Sequence, residues 1–109
     1  PDHGRFFTSV LFEDHRPLDR AVFIDELENW PDAVLRAKGF VRFSDDANRA
    51  YSLQRVGARC SLEAVPRSDD QPAGARIVII GPRDRLDTEA LNESLRRSVA
   101  VGISALVRR

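Results

Sequence analysis

The sequence predicts a two-layer α+β sandwich: one mostly antiparallel sheet of about five strands with helices on one face. Three features predict it. Segments with a two-residue apolar period recur along the chain. One helix-like stretch separates the first of them from the second, and a second helix-like stretch follows the last. Between the middle segments the gaps are short, which favours antiparallel neighbours in a meander. One strand-helix-strand crossover plus a meander gives the order β-α-β-β-β-β-α, a variant of the ferredoxin-like arrangement.

The first segment, "RFFTSVLFE" (5–13), mixes aromatic and β-branched residues and suits a strand buried on both faces. "EDHRP" breaks it, and Pro17 suits the first turn of a helix. From Leu18 to Trp30 a 3.6-residue period puts Phe23, Ile24, Leu27 and Trp30 on one arc, and Pro31 ends the run. In Val34 to Phe43, Leu35, Ala37, Gly39, Val41 and Phe43 share one face. Arg36, Lys38, Phe40 and Arg42 share the other. Burying unpaired cations costs several kcal/mol, so this second face is expected to be open.

"DDAN" (45–48) has turn chemistry, and the next strand runs from Arg49 to Val56 with Tyr51 and Leu53 on one side. Gly57-Ala58 connects it tightly to Arg59–Val65, where Cys60, Leu62 and Ala64 share a face. "PRSDDQPAG" (66–74) reads as an exposed loop rather than a domain boundary, since neither side could fold alone. "ARIVIIGP" (75–82) is the most apolar strand and is expected to sit centrally. Asp87 then caps a helix carrying Leu91, Leu95, Val99, Ile103 and Leu106.

At 109 residues the chain accommodates one domain with one core. Hydrophobic residues make up 42% and charged ones 31%, the balance of a soluble globular protein. Lys+Arg and Asp+Glu are both 17, so no bulk charge marks the chain for nucleic acid or an anionic membrane. The longest apolar run is "IVII" (77–80), too short to span a bilayer, and no signal peptide is visible. One cysteine, Cys60, excludes an internal disulfide and a Cys-rich zinc site, and favours the cytoplasm. No Met occurs, even at position 1, which points to an excised piece of a longer chain as readily as to loss of an initiator Met.

Catalytic chemistry is not legible. No G-x-x-x-x-G-K-[ST] loop is present to cradle phosphates, and no G-x-S-x-G turn to present a nucleophile. His3, His15 and Cys60 are too dispersed to ligate a metal, and Cys60 reads as a buried thiol acting as a small hydrophobe. Asp45-Asp46 and Asp69-Asp70 fall in expected turns and read as solvated. "KGFVRF" (38–43) matches both ends of the K/R-G-F/Y-G/A-F-V-x-F/Y motif of RNA-recognition sheets, but lacks its two middle residues. The second stacking aromatic becomes Arg42, and "FFTSVLF" does not supply the partner motif, so nucleic acid is not the expected ligand.

"RPLDRAVFIDELENWPDAVLRAKGFVRF" followed by "IVIIGPRDRLDTEALNESL" resembles the C-terminal domain of the CobW-like GTPases, a family of metallochaperones. The likeness rests on Arg16-Pro17, Trp30-Pro31, Val34 through Phe40, Val56-Gly57 and residues 77–95, and covers the chain from about Phe6 to Leu95. In "GPRDRLD" a proline follows the glycine, a departure confined to the loop.

The resemblance implies a single domain over 1–109, with 1–4 a linker remnant, and no catalytic residues, metal ligands or cofactor in this chain. GTP and zinc or cobalt belong, on this reading, to a GTPase domain with a phosphate loop and a Cys-x-Cys-Cys motif, neither of which occurs here. It implies an accessory, protein-interaction role in metal delivery or cobalamin biosynthesis, with the GTPase domain of the same protein and a client metalloprotein as partners. Arg36, Lys38, Phe40 and Arg42 are the expected partner-binding residues. The alternative reading is a stand-alone α+β domain that binds a small ligand or RNA.

Overall fold

Residues 75–82, the most apolar strand of the sequence, are hydrogen-bonded to neighbours on both sides. The computed structural model describes residues 3–100. Its elements are α1 (His3–Phe6), β1 (Phe7–Asp14), α2 (Arg20–Glu28), β2 (Arg36–Phe43), β3 (Asp46–Val56), β4 (Arg59–Pro66), β5 (Ala75–Pro82) and α3 (Thr88–Arg97). The five strands form one antiparallel sheet in the order β1-β5-β2-β3-β4. The expected meander is β2-β3-β4, and β5 returns to fill the gap left by the helical crossover between β1 and β2.

The register places one buried row across the sheet. Val10 and Phe12 of β1 stand opposite Ile79 and Ile77 of β5. Ala37 and Val41 of β2 stand opposite Ile79 and Ala75, and Val41 opposite Tyr51 of β3. Phe23 and Leu27 of α2 and Leu91 and Leu95 of α3 belong to the same core, so both helices cover this one face. Fully burying one such side chain is worth about 1.5–3 kcal/mol, so this row supplies most of the drive to fold. Trp30 Nε1 donates to Ser94 Oγ (3.0 Å) in the core, tying the end of α2 to α3.

Local chemistry sets the element ends. Asp19 caps α2 by accepting from the Val22 N–H (3.1 Å), so the helix starts after Pro17 rather than on it. Leu18 instead bridges to Phe43 and Val99. Asp87 caps α3 by accepting from the Ala90 N–H (3.0 Å), as expected. That helix stops at Arg97, short of Val99, and Ile103 and Leu106 lie outside the described residues. "DDAN" does not form the turn by itself: β3 begins at Asp46, and a bulge between Val41 and Phe43 absorbs the offset.

Three other expectations are corrected. β1 is an edge strand buried on one face only, with Leu11 56% exposed, because its position at the end of the sheet leaves the second face uncovered. Ile24 sits at the margin of the core, partly exposed, while Phe23, Leu27 and Trp30 are inside. Cys60 is exposed, because β4 forms the other edge and α2 does not reach fully over it.

Ion pairs anchor the surface and give the domain a defined acid response. Asp14 Oδ1 accepts from the Arg16 backbone N–H (2.8 Å) and Nε (3.0 Å), and its Oδ2 from Nη2 (2.9 Å). These donors favour the ionised carboxylate and hold its pKa at about 2. Glu26, Asp45 and Asp46 are also lowered, chiefly by hydrogen bonds from Arg97, Arg20 and Tyr51. A depressed folded value means stabilisation that is complete above the unfolded carboxylate pKa of ~4 and lost as pH falls below it. The thermal midpoint, followed by circular dichroism, is expected to drop as pH falls from ~4 towards ~2. Asp14→Asn should flatten that drop; an unchanged acid limb in the variant would count against the assignment.

Candidate functional site

The face opposite the helices is uncovered, and the register sets its side chains in rows. Ser9 of β1, Ile80 of β5, Arg36 of β2, Val56 of β3 and Arg59 of β4 form one row. Leu11, Val78, Lys38, Gln54 and Ser61 form the next, and Glu13, Arg76, Phe40, Ser52 and Glu63 the third. Leu11, Phe40, Val56, Val78 and Ile80 are all at least a third exposed. The surface therefore combines apolar contact area with the cations Arg36, Lys38 and Arg76. A depression of about 670 Å³ runs along it, lined by Arg36, Lys38, Phe40, Val78 and, from the 66–74 loop, Asp70. A second, of about 700 Å³, continues past Arg36 and Ile80 to Phe7, Thr8, Ser9 and Arg83.

Three of the four expected residues are brought together here. Arg36, Lys38 and Phe40 are exposed, and neither the Arg36 nor the Lys38 side chain makes an ion pair or hydrogen bond among the described residues. Arg76 differs, since its Nε donates to Glu13 Oε2 (2.8 Å) on the neighbouring strand.

Arg42 departs from the expectation of an exposed cation row. Its side chain is 8% exposed, and its Nε is buried without a hydrogen-bond partner. The 66–74 loop is bound at this end of the sheet: the Arg42 N–H donates to Gly74 O (2.8 Å), and Arg67 Nη1 to Ala47 O (2.7 Å). Desolvation pushes the Arg42 guanidinium below its ordinary pKa, with the Arg67 charge adding to it and Asp69 opposing it. Strand period alone predicts which side a residue faces, not which loop later covers it. Arg42 thus leaves the candidate surface, and Val78, Ile80, Leu11 and Arg76 join it. Their signal was present in the sequence, in the alternate positions of "ARIVII" and "SVLFE", but it needed the strand order to show which neighbours they meet.

Arg55 is a second buried arginine, on the helix side. Its Nη1 donates to Leu27 O (2.7 Å) and its Nε to Gly57 O (2.9 Å), with the guanidinium 5.6 Å from the Trp30 ring. It caps the end of α2 from the sheet, which no local sequence pattern announces.

Among the described residues reactive groups do not converge. Asp45 and Asp46 are engaged by Arg20 (2.8 Å) and by Arg49 and Tyr51 (2.8 Å each). Arg20 also stacks on Phe43 (4.4 Å) and Tyr51 (4.7 Å), so this cluster fastens α2 to the β2–β3 turn. Among the described residues no three His, Cys, Asp or Glu side chains gather to hold a metal. The sequence carries no phosphate loop either. No described helix is long and apolar enough to cross a membrane.

The family model for the cobalamin synthesis protein CobW C-terminal domain matches residues 7–99. The chain belongs to this family. Among solved structures, the CobW C-terminal domain described here is similar to the Zn(II)-bound YjiA GTPase from E. coli, at TM-score 0.68 and 23% identity. A Zn(II)-bound triple mutant of YjiA matches at TM-score 0.68 and 22% identity. Each alignment covers 86% of this chain and 30% of the other, so the chain spans under a third of the proteins it resembles. At this identity the likeness concerns the fold. No curated protein matches the chain.

Proposed function

We propose that this CobW C-terminal domain is a non-catalytic, protein-interaction module of a CobW-like GTPase, and that its open sheet face docks the GTPase domain of the same protein. The observation that carries the reading is the pairing of uncommitted cations, Arg36 and Lys38, with exposed Phe40, Val78 and Ile80 on one surface. An apolar patch rimmed by charge is the usual composition of an interaction site. The wider role follows the family: metal delivery, of zinc or cobalt, or cobalamin biosynthesis in the cytoplasm, with a client metalloprotein as a further partner. GTP and metal are assigned to the GTPase domain, not to this one.

Reversing both charges, Arg36→Glu with Lys38→Glu, is expected to weaken association with the cognate GTPase domain about 10-fold, mainly through slower association. Circular dichroism should be unchanged, since both side chains are exposed. Undiminished binding by calorimetry would overturn the reading. RNA is the alternative occupant of the same face. Phe40 stands opposite Arg76 and Ser52, so no second aromatic continues a stacking platform. A salt-dependent shift with single-stranded RNA would reinstate that alternative.

A further inference from the structure

We propose that the free edge of β4 pairs with β4 of a second copy of this chain, antiparallel and centred on Leu62, to make one continuous sheet across a two-fold axis. This inference uses a different surface from the open face and does not rest on the function proposed above.

The first argument is where the backbone groups of β4 point. β4 pairs with β3 alone and ends the sheet. The β3–β4 connection is the two-residue turn Gly57-Ala58, with Gly57 at φ 58° and no other described residue at positive φ, the pattern of a type II′ hairpin. In such a hairpin the residues flanking the turn, Val56 and Arg59, form a hydrogen-bonded pair, and hydrogen-bonded pairs then alternate along the strand. Arg59, Ser61, Glu63 and Val65 therefore direct their N–H and C=O groups to β3. Cys60, Leu62 and Ala64 direct theirs outward. Natural edges are blunted by lysines, internal prolines, bulges or inward-pointing charges. β4 has none of these before Pro66, its last residue; it does carry two charges, Arg59 and Glu63, both on the open side.

The second argument is that the edge is self-complementary in one register. With Leu62 opposite the partner's Leu62, Cys60 stands opposite the partner's Ala64, and each outward N–H and C=O of Cys60, Leu62 and Ala64 finds a partner. On the helix side, Leu62, Ile24 and Leu27 line a groove beside the edge, and the joined strands extend its apolar floor. On the open side, Arg59 stands opposite the partner's Val65 and diagonal to the partner's Glu63, so each copy supplies both charges of the cross-strand pair. Other registers are poorer. A one-residue slip sets helix-side residues against open-side ones. Centring on Glu63 places two carboxylates opposite each other, and centring on Ser61 draws the turn residue Ala58 into the ladder. A two-fold contact of this kind closes on itself at two copies.

Sedimentation equilibrium of the 109-residue chain with reductant present, from ~5 to ~500 µM, tests the proposal. The wild type is expected to pass from monomer to dimer across that range. Ala64→Pro removes one outward N–H, and proline is tolerated on an edge strand whose N–H faces solvent. This variant should keep the wild-type circular dichroism and remain monomeric throughout. Glu63→Arg should weaken the dimer about 10-fold, and adding Arg59→Glu should restore it. A wild type that stays monomeric, or a dimer indifferent to Ala64→Pro, overturns the proposal. Should Ala64→Pro misfold, the charge swap decides: a double variant no tighter than Glu63→Arg alone overturns it. Loss of the dimer on reversing Arg36 and Lys38, with the β4 variants still dimeric, would move the contact to the open face and overturn it too.

Discussion

Gly39→Ala is expected to lower the unfolding free energy by about 3 kcal/mol, read as a lower urea midpoint at unchanged slope. Gly39 faces the helices between Leu53 of β3 and Ile77 of β5. A Cβ there would overlap the Arg76 carbonyl oxygen and the Ile77 Cα, both backbone atoms of the adjacent strand. Neither can rotate aside as a side chain would, so relief requires moving β5, the strand that joins β1 to the rest of the sheet. Gly57→Ala is the matched comparison. Gly57 needs its positive φ, but a Cβ there meets nothing within 4 Å. Its cost should be near 1 kcal/mol, the conformational penalty alone. A Gly39→Ala variant as stable as Gly57→Ala would show that β5 shifts freely, against the close approach described here.

Arg55→Met is expected to cost about 2–3 kcal/mol, because the buried Leu27 carbonyl and the part-buried bond to the Gly57 carbonyl lose a charged donor at once. Leu27 O lies in the last turn of α2, where its other partner is the Trp30 N–H at 3.3 Å, and Gly57 O belongs to the β3–β4 turn. The arginine therefore couples helix and hairpin, and methionine replaces only its packing against Trp30. Arg55→Lys should recover less than half the loss, since an ammonium cannot reach both carbonyls with the fixed fork of a guanidinium. Full rescue by lysine in thermal melts would mean that charge, not the two-carbonyl geometry, is what matters there.

Both residues show how differently two kinds of information sit in the chain. Gly39 lies inside the stretch "LRAKGF" that carries the family likeness, but nothing local shows why a glycine stands there. The cause is the backbone of β5, more than thirty residues later in the chain. By strand period Arg55 shares the side of Tyr51 and Leu53, but nothing within a few residues of it shows what a cation on the core side would pair with. What buries it is the end of α2, brought there by the crossover. Arg42 failed in the same way. Its strand period assigned it correctly to the side away from the helices, but the 66–74 loop is bound against that end of the sheet and takes the guanidinium out of solvent.

The open face was half legible for a related reason. Arg36, Lys38 and Phe40 are adjacent on one strand, so alternation alone places them on one side. Val78, Ile80 and Leu11 lie on two other strands, and their meeting with the cations depends on β5 sitting between β1 and β2.

By itself the sequence determined the five strands, the two helices that cover the sheet, the cap at Asp87 and the turn at Gly57, because each follows from contacts within a few residues. It also pointed to the family, through motifs between Arg16 and Leu95, and the family model matches residues 7–99. Strand order, the two edges, the burial of Arg42 and Arg55, and the composition of the open face were decided only by the tertiary structure. They depend on contacts between residues far apart in the chain, and a two-residue period specifies the side of a strand without specifying its neighbour.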